Sequence, residues 1–92
     1  MKYMLVECIE RDFNTPDFFE TYEEAFDTMC QRVADVYHIT KEEAKKEYFE
    51  NCDDEACITE SSAWITDYHH NNYDWVIYDV HFNGKETTCV HH

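Results

Sequence analysis

The sequence predicts an α+β domain with two helices packed on one face of a mainly antiparallel sheet, in the order β-α-α-β-β-β. Three observations carry that reading. Two capping boxes, Thr21-Tyr22-Glu23-Glu24 and Thr40-Lys41-Glu42-Glu43, open two consecutive helices. Two strand-like runs, YMLVECI at 3–9 and YDWVIYDVHF at 73–82, flank them. Asn83-Gly84 then follows directly, the preferred pair for a two-residue type I′ hairpin, so a last strand over 85–90 should fold back on its predecessor. With 92 residues, no linker and no internal repeat, residues 1–92 read as a single domain with a thin core.

Residues Tyr3 to Ile9 are apolar on both faces, which predicts a strand inside the sheet and covered on both sides. From Glu10 to Glu20 the pattern breaks around Asn14, Thr15 and Pro16, and Phe13, Phe18 and Phe19 are expected to tuck this connection onto the core. Tyr22, Ala25, Phe26, Met29, Val33, Val36 and Tyr37 recur at spacings of three and four, an apolar stripe that runs to about residue 37. Ile39 is placed to staple against Ala44, and the second helix is predicted to reach about Asn51 with only Ala44, Tyr48 and Phe49 as apolar content. Residues Ala56 to Thr66 read as one strand with a bulge or break at Glu60-Ser61-Ser62. Asp67 to Asn72 is a polar loop.

Charge bounds function more tightly than motif does. Twenty-one Asp and Glu against seven Lys and Arg give a net charge of -14, and ordinary small domains carry about 2–8 in magnitude. Between Lys46 and Lys85 there is no cation, yet nine carboxylates: Glu47, Glu50, Asp53, Asp54, Glu55, Glu60, Asp67, Asp74 and Asp79. Phosphate backbones are gripped by lysine and arginine, so direct nucleic-acid or anionic-membrane binding is not expected. The expected partner is a basic protein surface. A 43% hydrophobic fraction with 15 aromatic residues (two Trp, seven Tyr, six Phe) separates the chain from disordered acidic tails.

The chemistry-bearing residues support no enzyme class. A single glycine, Gly84, cannot write a P-loop or a dinucleotide fingerprint. Five cysteines, Cys8, Cys30, Cys52, Cys57 and Cys89, make an odd number without a C-x-x-C, and MKYMLVECIE shows no signal segment. The chain is therefore read as cytoplasmic, with reduced thiols. Carboxylates near a cysteine raise its pKa and weaken it as a nucleophile. Asp67, His69, His70 and Asp74, with His81, Cys52 and Cys57, are candidate metal ligands, but they lack the close pairs of structural zinc sites and no metal or cofactor is assigned. His91 and His92 are set aside as indistinguishable from a tag remnant.

Charge and aromatic residues overlap over 60–79, where Trp64, Tyr68, Tyr73, Trp75 and Tyr78 sit among Glu60, Asp67, Asp74 and Asp79. Interfaces take much of their energy from a few aromatic anchors, and a field of one sign selects partners of the other. Trp75 and Ile77 are assigned to the core. The partner-binding set is Asp53, Asp54, Glu55, Glu60, Asp67, Tyr68, Tyr73, Asp74 and Asp79.

FETYEEAFDTM at 19–29, SSAW at 61–64 and YDWVIYDV at 73–80 resemble small uncharacterised acidic proteins of bacterial phage and mobile elements, especially in gut Firmicutes. The resemblance implies a fold and assigns no catalytic residue. In size and charge only, the chain is similar to phage-encoded inhibitors of host defence, the anti-CRISPR and antirestriction proteins. Together these imply a small acidic binding module that blocks a basic, nucleic-acid-binding partner by charge mimicry. The alternative, from a different class, is a metal- or ligand-binding accessory domain, or a structural interaction protein. So much like charge implies a monomer, or a homodimer whose contact avoids residues 47–79.

Overall fold

In the computed structural model residues 2–82 and 87–88 are described, with His81, Phe82, Thr87 and Thr88 by backbone alone. The strands are β1 (Tyr3–Ile9), β2 (Asp12–Phe13), β3 (Asp17–Phe19), β4 (Ala56–Ile58), β5 (Ser62–Thr66), β6 (Asn72–Asp79), β7 (His81–Phe82) and β8 (Thr87–Thr88). The helices are α1 (Tyr22–Tyr37) and α2 (Lys41–Tyr48). Strands β1 to β6 form one antiparallel sheet in the order β2-β1-β6-β5-β4, with β3 also paired to β1. The α+β class is as the sequence predicts.

Both helices start on complete capping boxes. Thr21 accepts from the Glu24 N–H and Thr40 from the Glu43 N–H, while each glutamate reaches back to its threonine's N–H. The Glu43 carboxyl lies below the usual range because the Thr40 N–H and hydroxyl favour its charged form. Helix α1 closes on His38 in the left-handed region (φ 57°), and the Ile39 N–H returns to the Ala34 carbonyl.

The register sorts the sheet into two faces, because successive side chains in a strand point to opposite sides. Leu5 lies opposite Ile77, Glu7 opposite Trp75, Ala63 opposite Trp75, and Ala56 opposite Ile65. With Ile58, all of these side chains except Glu7 meet Ala25, Met29, Cys30, Val33, Ala34 and Ala44 of the helices in one buried cluster. Trp75 and Ile77 are 1% and 4% exposed, as expected of core residues. Trp75 Nε1 donates to Glu7 Oε2 at 2.7 Å, and Arg32 of α1 reaches both Glu7 and Asp17.

Several elements differ from expectation. Strand β1 is interior, between β2/β3 and β6, but the helices cover only one of its faces. Met4, Val6 and Cys8 on the other face are half-buried by neighbouring strands. The connection over 10–20 is not irregular. It supplies β2 and β3, and Glu10 (φ 51°) and Arg11 (φ 73°) form a two-residue hairpin turn without glycine. Phe13 and Phe18 of that connection are exposed, whereas Phe19 packs on the core. Helix α2 stops at Tyr48, where Phe49 is extended and bridges Ile58.

The segment from Ala56 to Thr66 is a hairpin of two strands, because the Thr59 hydroxyl accepts from the Ser61 and Ser62 N–H groups and turns the chain. The last long run also divides: β6 ends at Asp79, the Val80 N–H donates to the Lys2 carbonyl, and β7 pairs with β8 in a separate ladder. Strand β8 pairs antiparallel with β7, Phe82 opposite Thr87. The Asn83-Gly84 turn, Lys85, Cys89 and the terminal histidines lie outside the described residues.

Candidate functional site

One end of the sheet gathers two acidic loops that are separate in the sequence. The α2–β4 connection carries Asp53, Asp54 and Glu55, and the β5–β6 loop carries Asp67 and Tyr68. Hairpin register brings them together. The Thr66 N–H donates to the Glu55 carbonyl at 2.8 Å, and the Tyr37 hydroxyl, at the end of α1, donates to the Glu55 and Thr66 carbonyls at 3.4 and 3.3 Å.

Each loop is organised by an aspartate that accepts from backbone N–H groups. Asp53 Oδ1 takes the N–H of Glu55 at 2.7 Å and of Ala56 at 2.8 Å. Asp67 Oδ1 takes the N–H of His69 at 2.8 Å and of Asn71 at 2.9 Å, while Oδ2 takes the Tyr73 hydroxyl and the Asn71 amide. The backbone N–H of Asn71, followed by that of His69, holds the Asp67 carboxyl below the usual range. Such donors fix the carboxylates in place without removing their net charge, so the end projects a negative field.

Tyrosines line this end. Tyr37 and Tyr48 have ring centroids 5.7 Å apart, and Tyr37 and Tyr68 lie edge to face at 6.4 Å. Tyr68 is 86% exposed. Burial pushes the Tyr37 phenol up to about 12, with Tyr48, Glu55, Asp53 and Tyr68 adding to the shift. Burial also raises Tyr48, assisted by Asp53, Glu47 and Glu55.

Of the other residues singled out by sequence, Tyr73 touches this end through its hydroxyl on Asp67, and Glu60, Asp74 and Asp79 lie elsewhere. Glu60 is on the β4–β5 turn, at the opposite end of β5, with its carbonyl held by the Tyr22 hydroxyl. Tyr73 stacks on Trp75 at 5.9 Å against the core and is half-buried. Asp79 faces Tyr3 at the far end of β6 and is half-buried. Asp74 is exposed on the helix-free face, opposite Trp64 on one side and Cys8 on the other. That face also carries Met4, Val6, Val76, Tyr78 and Phe18, an apolar surface whose only sequence signal was the two-sided apolarity of β1.

The cysteines correct the expectation of free thiols throughout. Cys52 and Cys57 form a disulfide across the Asp53–Ala56 turn, while Cys8 and Cys30 are free. Burial raises the Cys30 thiol to about 11. The histidine loop builds no metal centre: among the described residues no group of three or more His, Cys, Asp or Glu is placed to hold an ion. Among the same residues, no helix is long and apolar enough to cross a membrane. No protein-family model, curated protein or solved structure matches the chain.

Proposed function

We propose that the protein is a small acidic binding module whose Asp53–Glu55 and Asp67–Tyr68 end engages a basic protein surface, and that it acts by occupying a groove meant for nucleic acid. The observation that carries this reading is the hydrogen-bonded union of the two loops through Glu55, Thr66 and Tyr37. It turns a sequence-level excess of charge into a fixed acidic and aromatic surface.

The physics is that of counterion release. Duplex DNA presents about one charge per 1.7 Å of axis, and the lysines and arginines that grip it gain equally from a preorganised acidic protein surface. Rigid carboxylates serve this role better than a flexible tail, since less side-chain order is lost on binding. The likeness in size and charge to phage-encoded inhibitors of host defence points to a host nucleic-acid-binding protein as the partner. We place the encounter in the cytoplasm, where Cys8 and Cys30 would stay as free thiols; the Cys52–Cys57 disulfide counts against that placement.

The test uses the immobilised protein against host lysate, with retained proteins eluted by rising salt or by duplex DNA. Retained proteins should be basic and should be displaced by both. The reversal Asp54→Lys with Glu55→Lys suits this test, because the turn's hydrogen bonds use the Asp53 side chain and not these two. It should abolish retention while leaving the fold intact. Retention that survives high salt, DNA and the double reversal would remove the charge-mimic mechanism.

A further inference from the structure

The acidic end contains a cleft of ≈ 400 Å³ between α1, α2, the α2–β4 turn and the β5–β6 loop. Its walls include the rings of Tyr37, Tyr48 and Tyr68 and the side chains of Glu43, Glu47 and Glu55, with Lys46 at the same surface. We propose that this cleft is a receptor for an arginine side chain of the basic partner. The inference deepens the proposed function and rests on its assignment of this end as the binding surface, but it makes a claim about one pocket that is testable alone.

The cleft and a guanidinium are chemically complementary. The Tyr48 and Tyr68 rings lie 5.7 and 6.4 Å from that of Tyr37 and offer π faces and edges, and Glu43, Glu47 and Glu55 line the same cleft. A guanidinium matches both, because it stacks on aromatic faces, pairs in a fork with carboxylates and sheds water more readily than an ammonium. Burial raises the phenols of Tyr37 and Tyr48, and the neighbouring Asp53 and Glu55 add to both shifts. Tyr37 is fixed by its hydrogen bonds to Glu55 and Thr66, so its ring is presented before any ligand arrives. Tyr68 stands edge to face with Tyr37 and is 86% exposed, so its ring is open to a ligand at the cleft mouth. Lys46 competes with an incoming cation, which makes the prediction asymmetric: removing a phenol weakens binding and removing Lys46 strengthens it.

The experiment is an NMR titration of the full chain with N-acetylarginine methylamide, alongside the lysine analogue and the neutral citrulline analogue. The arginine probe should shift the ring signals of Tyr37, Tyr48 and Tyr68 and bind about tenfold tighter than citrulline, with lysine between them. Tyr68→Ala should weaken it about fivefold without changing the melting temperature, and Lys46→Gln should tighten it. Equal binding of arginine and citrulline, shifts confined to other surfaces, or an unchanged affinity in Tyr68→Ala would each overturn the pocket. The two readings fail separately. Retention of DNA-displaceable basic proteins without an arginine response removes the pocket alone, and an arginine response without such retention removes the nucleic-acid-mimic reading alone.

Discussion

Glu7, Asp17 and Asp27 on the helix side of the molecule and Asp53 and Asp67 at the loop end carry the same charge, yet different partners hold them. The first group is paired with cations: Arg32 reaches Glu7 and Asp17, while Lys45 and Lys41 lie 2.8 and 3.7 Å from Asp27. The second group is held by backbone N–H groups. Cation pairing cancels charge and ties elements together, as Lys45 does between α2 and α1. N–H donors order a carboxylate while leaving its field intact. The fold therefore spends its few basic residues where packing needs them and leaves the loop end negative.

The largest effect expected from breaking this contrast is at Glu7. Its carboxylate accepts from Trp75 Nε1, a donor in a residue 1% exposed, and also faces Arg32. Glu7→Ala should destabilise by about 2–3 kcal/mol, since it strands a buried donor and removes a charge-assisted bond. Glu7→Gln keeps an acceptor oxygen and should lose less than half of that. Urea unfolding followed by Trp fluorescence measures both, and equal losses would mean that charge, not acceptance, is what Trp75 needs. Next in size is Arg32→Met, expected to cost about 1 kcal/mol because the pairs are partly exposed and solvent-screened. A loss above 3 kcal/mol would show that Arg32 is as deeply coupled to the core as Glu7.

The same contrast explains what the sequence made legible. Both helix starts were readable because a capping box is a local device, in which Thr21 and Thr40 need only the residue three positions on. Trp75 and Ile77 were readable because they occupy alternate positions of the chain's strongest strand signal. The β1–β2 hairpin was hidden, since Glu10 and Arg11 adopt positive φ without the glycine or asparagine that marks such turns. Their conformation is supported from outside, by Glu10 exchanging backbone and side-chain hydrogen bonds with Asn72. The site was half legible. Asp53–Glu55, Asp67 and Tyr68 could be picked by charge and aromaticity, but Tyr37 and Tyr48 read as core on a helical stripe. Only the register of β4, β5 and β6 brings their rings beside the loops.

The finest test separates the two kinds of anion by salt. Asp67 and Asp27 both have carboxyls below the ordinary range, Asp67 chiefly through the Asn71 N–H and Asp27 chiefly through the Lys45 hydrogen bond. A depressed folded pKa stabilises above the unfolded value of about 3.9 and is lost as pH falls through the folded one. Both sites should therefore loosen on acidification below about pH 4, Asp67 by opening of its loop and Asp27 by release of α2 from α1. Raising salt to about 1 M shortens the screening length to about 3 Å and weakens the exposed Lys45–Asp27 pair, but leaves N–H bonds within a single turn nearly untouched. Side-chain carboxyl NMR titrations at low and high salt should show the Asp27 midpoint moving up toward its ordinary value and the Asp67 midpoint staying in place. If both midpoints rise together, Asp67 is held by the general field and not by its own turn, and the distinction between paired and projected charge fails.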